Sequence, residues 1–131
     1  MFKFGNVSRR RLETADRRLQ TLFNEVIKEY DHIIVCGHRN KAEQDLAFKT
    51  GKSKIKWPKG KHNSLPAKAI DAAPFVDGKV IWDEVEVKKF AKKVLEIAKK
   101  LKIKIRWGGD WDSNPATPNT FSDLVHFELV E

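Results

Sequence analysis

The segment AKAIDAAPFVDGKVIW (67–82) reads as a strand, a tight turn and a returning strand. Residues 67–75 are apolar and suit a strand, and Asp77-Gly78 is a dipeptide favoured in two-residue hairpin turns. One residue interrupts the apolar run. Asp71 is a carboxylate inside AIDAA, and burying an unpaired carboxylate is costly, so a cation must answer it.

The neighbouring segments extend this reading in both directions. Upstream, KSKIKWPKGKHNSLP (52–66) holds five lysines, two prolines and a glycine, which marks a basic loop. Loops of this length in a compact domain are usually functional. KAEQDLAFKT (41–50) reads as a helix stopped by Gly51. HIIVCG (32–37) reads as a buried strand. Leu12, Leu19, Leu22, Phe23, Val26, Ile27 and Tyr30 recur at three and four residues, predicting one helix over 8–30 with Ser8 as its N-cap. Downstream, Val87, Phe90, Ala91, Val94, Ile97, Ala98 and Leu101 form the buried stripe of a helix over 84–101. KIKIRW (102–107) and LVHFELV (124–130) alternate as strands, with the loop GGDWDSNPATPNT (108–120) between them. Helices and short strands in this order predict an α+β fold.

Composition bounds the function. The chain has 131 residues, a mass of 15.1 kDa, 40% hydrophobic and 34% charged residues. A single domain spanning 1–131 is expected, with roughly two-thirds of its extended surface buried. The single cysteine, Cys36, excludes an intramolecular disulfide framework and a Cys-based zinc finger, so any metal is expected on His and carboxylate. No apolar run is long enough for a transmembrane helix, and the charged N-terminus shows no secretory signal. Cytoplasmic synthesis without stable membrane insertion is therefore expected. The net charge of +8 favours a polyanionic partner, either nucleic acid, anionic lipid or a cell-wall polymer, without choosing among them.

Four histidines are present. His32 and His38 read as solvated or capping residues. His62 lies in the basic loop, nine residues before Asp71, and His126 lies in the last strand, three residues after Asp123. On that strand His126, Glu128 and Val130 share one face and Val125, Phe127 and Leu129 the other. Two readings stay open on residue types alone. Either Asp71 pairs with a lysine and His126 is a hydrogen-bonded core residue, or His62, Asp71 and His126 hold a zinc ion whose fourth position is left to water.

Taken together, KSKIKWPKGKHNSLPAKAID, WGGDWD, DLVHFEL and VCGHRNKAEQ resemble the phage-endolysin branch of the VanY-like zinc peptidases. That branch comprises L-alanyl-D-glutamate peptidases related to D-alanyl-D-alanine carboxypeptidases. The resemblance covers nearly the whole chain. Its Ser-Lys-His … Ala-x-Asp signature reads here Gly60-Lys61-His62 … Ala69-Ile70-Asp71, with Gly60 where Ser is common. The resemblance implies a Hedgehog/DD-peptidase-type fold, a small antiparallel sheet with packed helices. It implies His62, Asp71 and His126 as zinc ligands and Asp123 as the catalytic acid/base. It also implies that Arg39 steadies the substrate or the developing oxyanion.

Trp111 is a candidate wall of the substrate groove, and Glu128 a candidate outer acceptor for His126. Asp110, Asp112 and Asn114 alternate like calcium ligands, but Pro115 stands where an EF-hand needs Gly, so no EF-hand is expected. The expected protein is a monomeric endolysin that cleaves peptidoglycan between L-alanine and D-glutamate. It waits in the host cytoplasm until a holin opens the membrane. Its rivals are a D-alanyl-D-alanine carboxypeptidase on the same fold and a basic nucleic-acid-binding module.

Overall fold

The computed structural model describes residues 2–110 and 124–130. Four helices and a five-stranded antiparallel sheet occur among the described residues. In chain order they are α1 (Asn6–Glu13), α2 (Arg17–Glu29), β1 (His32–Cys36), α3 (Lys41–Lys49), β2 (Ala69–Val76), β3 (Lys79–Val80), α4 (Glu84–Lys100), β4 (Ile105–Trp107) and β5 (His126–Leu129). A short 3-10 turn, Gly108–Asp110, follows β4. The main path of the sheet runs β1-β2-β5-β4, and β3 pairs with the far end of β2. The sheet centre is therefore the 67–82 segment, and Asp77 and Gly78 take the positive φ angles its hairpin turn requires.

The helix expected over 8–30 is two helices. Asp16 is the N-cap of α2 and its carboxylate accepts the Arg18 amide at 2.9 Å. The chain bends there because Ala15 bridges Ala67 and the Asp16 amide bonds the Ala67 carbonyl at 2.8 Å. Ser8 is no cap. It is buried within α1, and its Oγ accepts the Ile34 amide at 3.1 Å, while Arg11 donates to the Ile34 carbonyl. These two side chains cover the free edge of β1.

Leu19, Leu22, Phe23 and Val26 of α2 and Phe90, Ala91 and Val94 of α4 pack with Ile34, Ile70, Ala72, Phe127 and Leu129 of the sheet. His32 lies in this core and is 2% exposed, ringed by Phe4, Phe23 and Phe90. This corrects its reading as a solvated or capping residue. α4 follows its predicted bounds because Asp83 caps its first turn. The strand expected over 102–107 is shorter, beginning at Ile105, since Lys102 turns the chain with a φ of 60°. The basic segment 52–66 is a loop, as its composition predicts.

Candidate functional site

Strand register builds the site. Asp71 on β2 stands opposite Cys36 of β1 on one side and opposite His126 of β5 on the other. A register shift between Ile34 and Cys36 makes this row possible. Ile34 pairs with Ala72 and faces the core; the bulge then brings Cys36, rather than Val35, opposite Asp71. On β5, Phe127 and Leu129 are buried in the core, and His126 and Glu128 take the other face, as their alternation predicts.

His62 descends onto this row from the basic loop. Its Nε2 lies 3.1 Å from Asp71 Oδ1 and 3.2 Å from His126 Nδ1, and His126 Nδ1 lies 3.1 Å from the same Asp71 oxygen. The other nitrogen of each ring is engaged elsewhere. His62 Nδ1 donates to the Gly37 carbonyl at 2.7 Å, and His126 Nε2 donates to Glu128 Oε1 at 2.9 Å. A carbonyl and a carboxylate only accept, so both rings carry their protons outward. Two imidazole lone pairs and a carboxylate oxygen then converge on one point. Such convergence is repulsive unless a proton or a cation lies among them.

The spacing suits a metal. Tetrahedral ligands at bonds of about 2.0–2.1 Å stand roughly 3.3 Å apart. The Cys36 sulfur also belongs to the cluster, since donor atoms of Cys36, His62 and Asp71 lie within 4.8 Å of one another. This donor group fits a metal ion. The expectation that only His and carboxylate stand near a metal is thereby widened by Cys36, whose position depends on the bulge.

The electrostatics agree. Burial pulls the His62 pKa down, but the Asp71 carboxylate overrides it and holds the ring up at about 10. Burial raises the Asp71 pKa, and the His62 and His126 rings more than reverse this, keeping its carboxyl well below the usual range. His126 is likewise raised, burial being outweighed by Asp71 and Glu128. The Asp71 carboxylate thus favours positive charge at this point, either a proton on the rings or a cation that displaces it.

Further residues hold the cluster in place. Arg39 Nη2 reaches Asp71 Oδ2 at 3.6 Å, and its Nη1 donates to Gln44 Oε1 at 3.1 Å. Gln44, 1% exposed, also accepts from Asn63 and donates to Ser53 Oγ and the Ile55 carbonyl. Gln44 and Asn63 were not singled out in the sequence because polar residues in a helix and a loop normally face water. A methyl at Gly37 would lie 2.2 Å from the Arg11 carbonyl, so only glycine lets this turn carry its carbonyl to His62. A methyl at Gly60 would meet Asn63 Oδ1 at 2.7 Å, so a larger residue there requires the Asn63 side chain to shift. His38 is tied to the Ser64 carbonyl through Nδ1 at 3.0 Å. Asp123, Trp111, Asp112 and Asn114 lie outside the described residues.

The chain matches the family model of the phage L-alanyl-D-glutamate peptidase over residues 1–130. It belongs to this family. It is 38% identical over 117 residues to the L-alanyl-D-glutamate peptidase of Escherichia phage T5, covering 86% of this chain and 84% of that one. It is 34% identical over 116 residues to the peptidoglycan L-alanyl-D-glutamate endopeptidase CwlK of Bacillus subtilis, covering 79% of this chain and 63% of CwlK. The fold is similar to the crystal structure of the Serratia marcescens L-Ala D-Glu endopeptidase ChiX. The TM-score is 0.78 at 21% identity, with 98% of this chain and 90% of that one covered. The His62–Asp71–His126 cluster is centred on the sheet rather than on a helix motif.

Proposed function

We propose that this family member is a zinc-dependent L-alanyl-D-glutamate endopeptidase that cuts the peptide stem of bacterial peptidoglycan during phage-driven lysis. One observation carries the reading. His62 Nε2, His126 Nδ1 and Asp71 Oδ1 of a peptidase-family chain converge on a single point, 3.1–3.2 Å apart. His62, Asp71 and His126 would hold the metal, with Cys36 beside them. Zinc held there would supply Lewis-acid polarisation of a scissile carbonyl and would lower the pKa of a water to about 7.

Asp123 serves as acid/base: it accepts the proton of the attacking water and delivers it to the leaving amine. Arg39 presents a permanent cation to the oxyanion developing on the substrate carbonyl, and Gln44 and Asp71 fix its guanidinium. Trp111 is proposed as a substrate-binding residue. The same family supports the Hedgehog/DD-peptidase-type fold assignment. No helix among the described residues is long and apolar enough to cross a membrane. Synthesis in the host cytoplasm, action as a monomer and access to the wall after holin release complete the proposal.

The deciding experiment is incubation with purified peptidoglycan, with and without a chelator, followed by identification of the new termini. New N-terminal D-glutamate, abolished by chelation and restored by zinc, is expected. Release of free D-alanine instead would make the enzyme a carboxypeptidase. Chelator-insensitive binding to DNA with no new termini would replace the peptidase reading with the nucleic-acid one.

A further inference from the structure

Glu128 is engaged by both of its oxygens. Oε1 accepts the His126 Nε2 proton at 2.9 Å, and Oε2 lies 3.1 Å from the Lys61 ammonium, which also donates to the Leu129 carbonyl. The Glu128 side chain is 12% exposed. Lys61 directly precedes His62, and Glu128 lies two residues beyond His126 on the same strand face. The Lys61–Glu128 pair therefore joins the loop that carries one histidine to the strand that carries the other. A surface ion pair is normally worth little. This one is set apart by its third member, because the carboxylate that receives Lys61 also decides which His126 nitrogen keeps its proton.

We infer that Glu128 is the positioning residue of the metal centre, clamped by Lys61, and that it holds His126 with the Nδ1 lone pair aimed between His62 and Asp71. The inference rests on the metal-dependent reading above. Without the Glu128 acceptor the His126 ring is free to rotate about its χ angles or to shift its proton to Nδ1. Either change removes one ligand lone pair. Without Lys61 the carboxylate keeps its bond to His126 but loses the cation that fixes its second oxygen. Outer acceptors of this kind change metal affinity by about 10–100-fold.

The test measures zinc affinity of the purified full chain by competition with a chromophoric chelator, alongside the melting temperature of the metal-free protein. Glu128→Ala is expected to weaken zinc binding by about 10–100-fold, with the metal-free melting temperature near that of wild type. Glu128→Gln retains an oxygen for Nε2 and should recover most of the affinity when combined with Lys61→Met, which removes the ammonium facing the new amide. Lys61→Met alone should give a smaller loss than Glu128→Ala. Unchanged affinity in Glu128→Ala overturns the positioning role while leaving the metal site standing. Equal losses in Glu128→Ala and the Glu128→Gln/Lys61→Met pair also overturn it. A wild-type chain that binds no zinc overturns the metal reading itself, and this role with it.

Discussion

Asp71, His62 and His126 are unequal in what each contributes, though any one of them breaks the cluster when removed. Asp71 is the shared partner: both imidazoles and Arg39 touch it. His62→Ala, Asp71→Ala and His126→Ala should each cut bound zinc sharply in elemental analysis, and turnover with it. Asp123→Asn should keep its zinc and its fold yet lose nearly all turnover, because an amide cannot accept the water's proton. Loss of metal from Asp123→Asn would make Asp123 a ligand and remove it as the base. Arg39 is separable in another way. Arg39→Lys keeps the charge but loses the planar fork that reaches Gln44 and Asp71 together. A fall in kcat with zinc content intact is expected for it, and wild-type turnover by Arg39→Ala would take Arg39 out of the mechanism.

At the scale of elements, β1 couples the core to the site. Its first residue, His32, sits among aromatic rings, donates through Nδ1 to the Tyr30 carbonyl at 2.8 Å, and has no partner for Nε2 among the described residues. Burial holds its pKa down to about 3, against 6.5 when unfolded. The folded chain thus keeps His32 neutral where the unfolded chain takes a proton. Stability from this residue is complete above pH 6.5 and drains away as pH falls towards 3, at up to about 1.4 kcal/mol per unit. Across that window the urea midpoint of wild type should fall more steeply with decreasing pH than that of His32→Leu. Parallel curves would show that His32 titrates alike in both states. The break between α1 and α2 is a second element-level effect. Asp16 caps α2 and also receives Lys68, the residue before β2. Asp16→Ala should therefore cost about 1–2 kcal/mol in chemical denaturation, from the lost cap together with the ion pair.

Across the whole molecule the charge is unevenly used. Lys52, Lys54, Lys56 and Lys59 are exposed along the loop leading to His62, and Lys56 lies 5.2 Å from the centre of the Phe48 ring. Lys61, grouped with them by sequence, is instead drawn to Glu128. If the exposed set holds the enzyme on an anionic wall, lysis of whole walls should weaken as salt rises, since exposed charges are screened over about 8–10 Å. Cleavage of a short soluble stem peptide should change far less. Replacing Lys52, Lys54 and Lys56 by Gln should imitate high salt on walls and spare the small substrate. Walls cut equally well at every salt concentration would end the attachment idea.

Periodicity and turn chemistry are local, so the sequence alone determined most elements: the hairpin at Asp77-Gly78, α3 up to Gly51, α4, and the two faces of β5. Local signals also placed a carboxylate where only a cation could satisfy it, and the resemblance of whole segments pointed to His62, Asp71 and His126. What required the tertiary structure was everything set by contacts between distant segments. Ala15 meets Ala67 and splits an otherwise continuous helical stripe. A bulge against β2 turns Cys36 towards the metal donors. The aromatic rings of α2, α4 and the N-terminal segment enclose His32. Gln44 and Asn63 are buried because the basic loop, which carries Asn63, folds back onto Gln44 of α3. In each case the decisive partners lie nine or more residues away or depend on strand register, and neither helical nor strand periodicity carries that information.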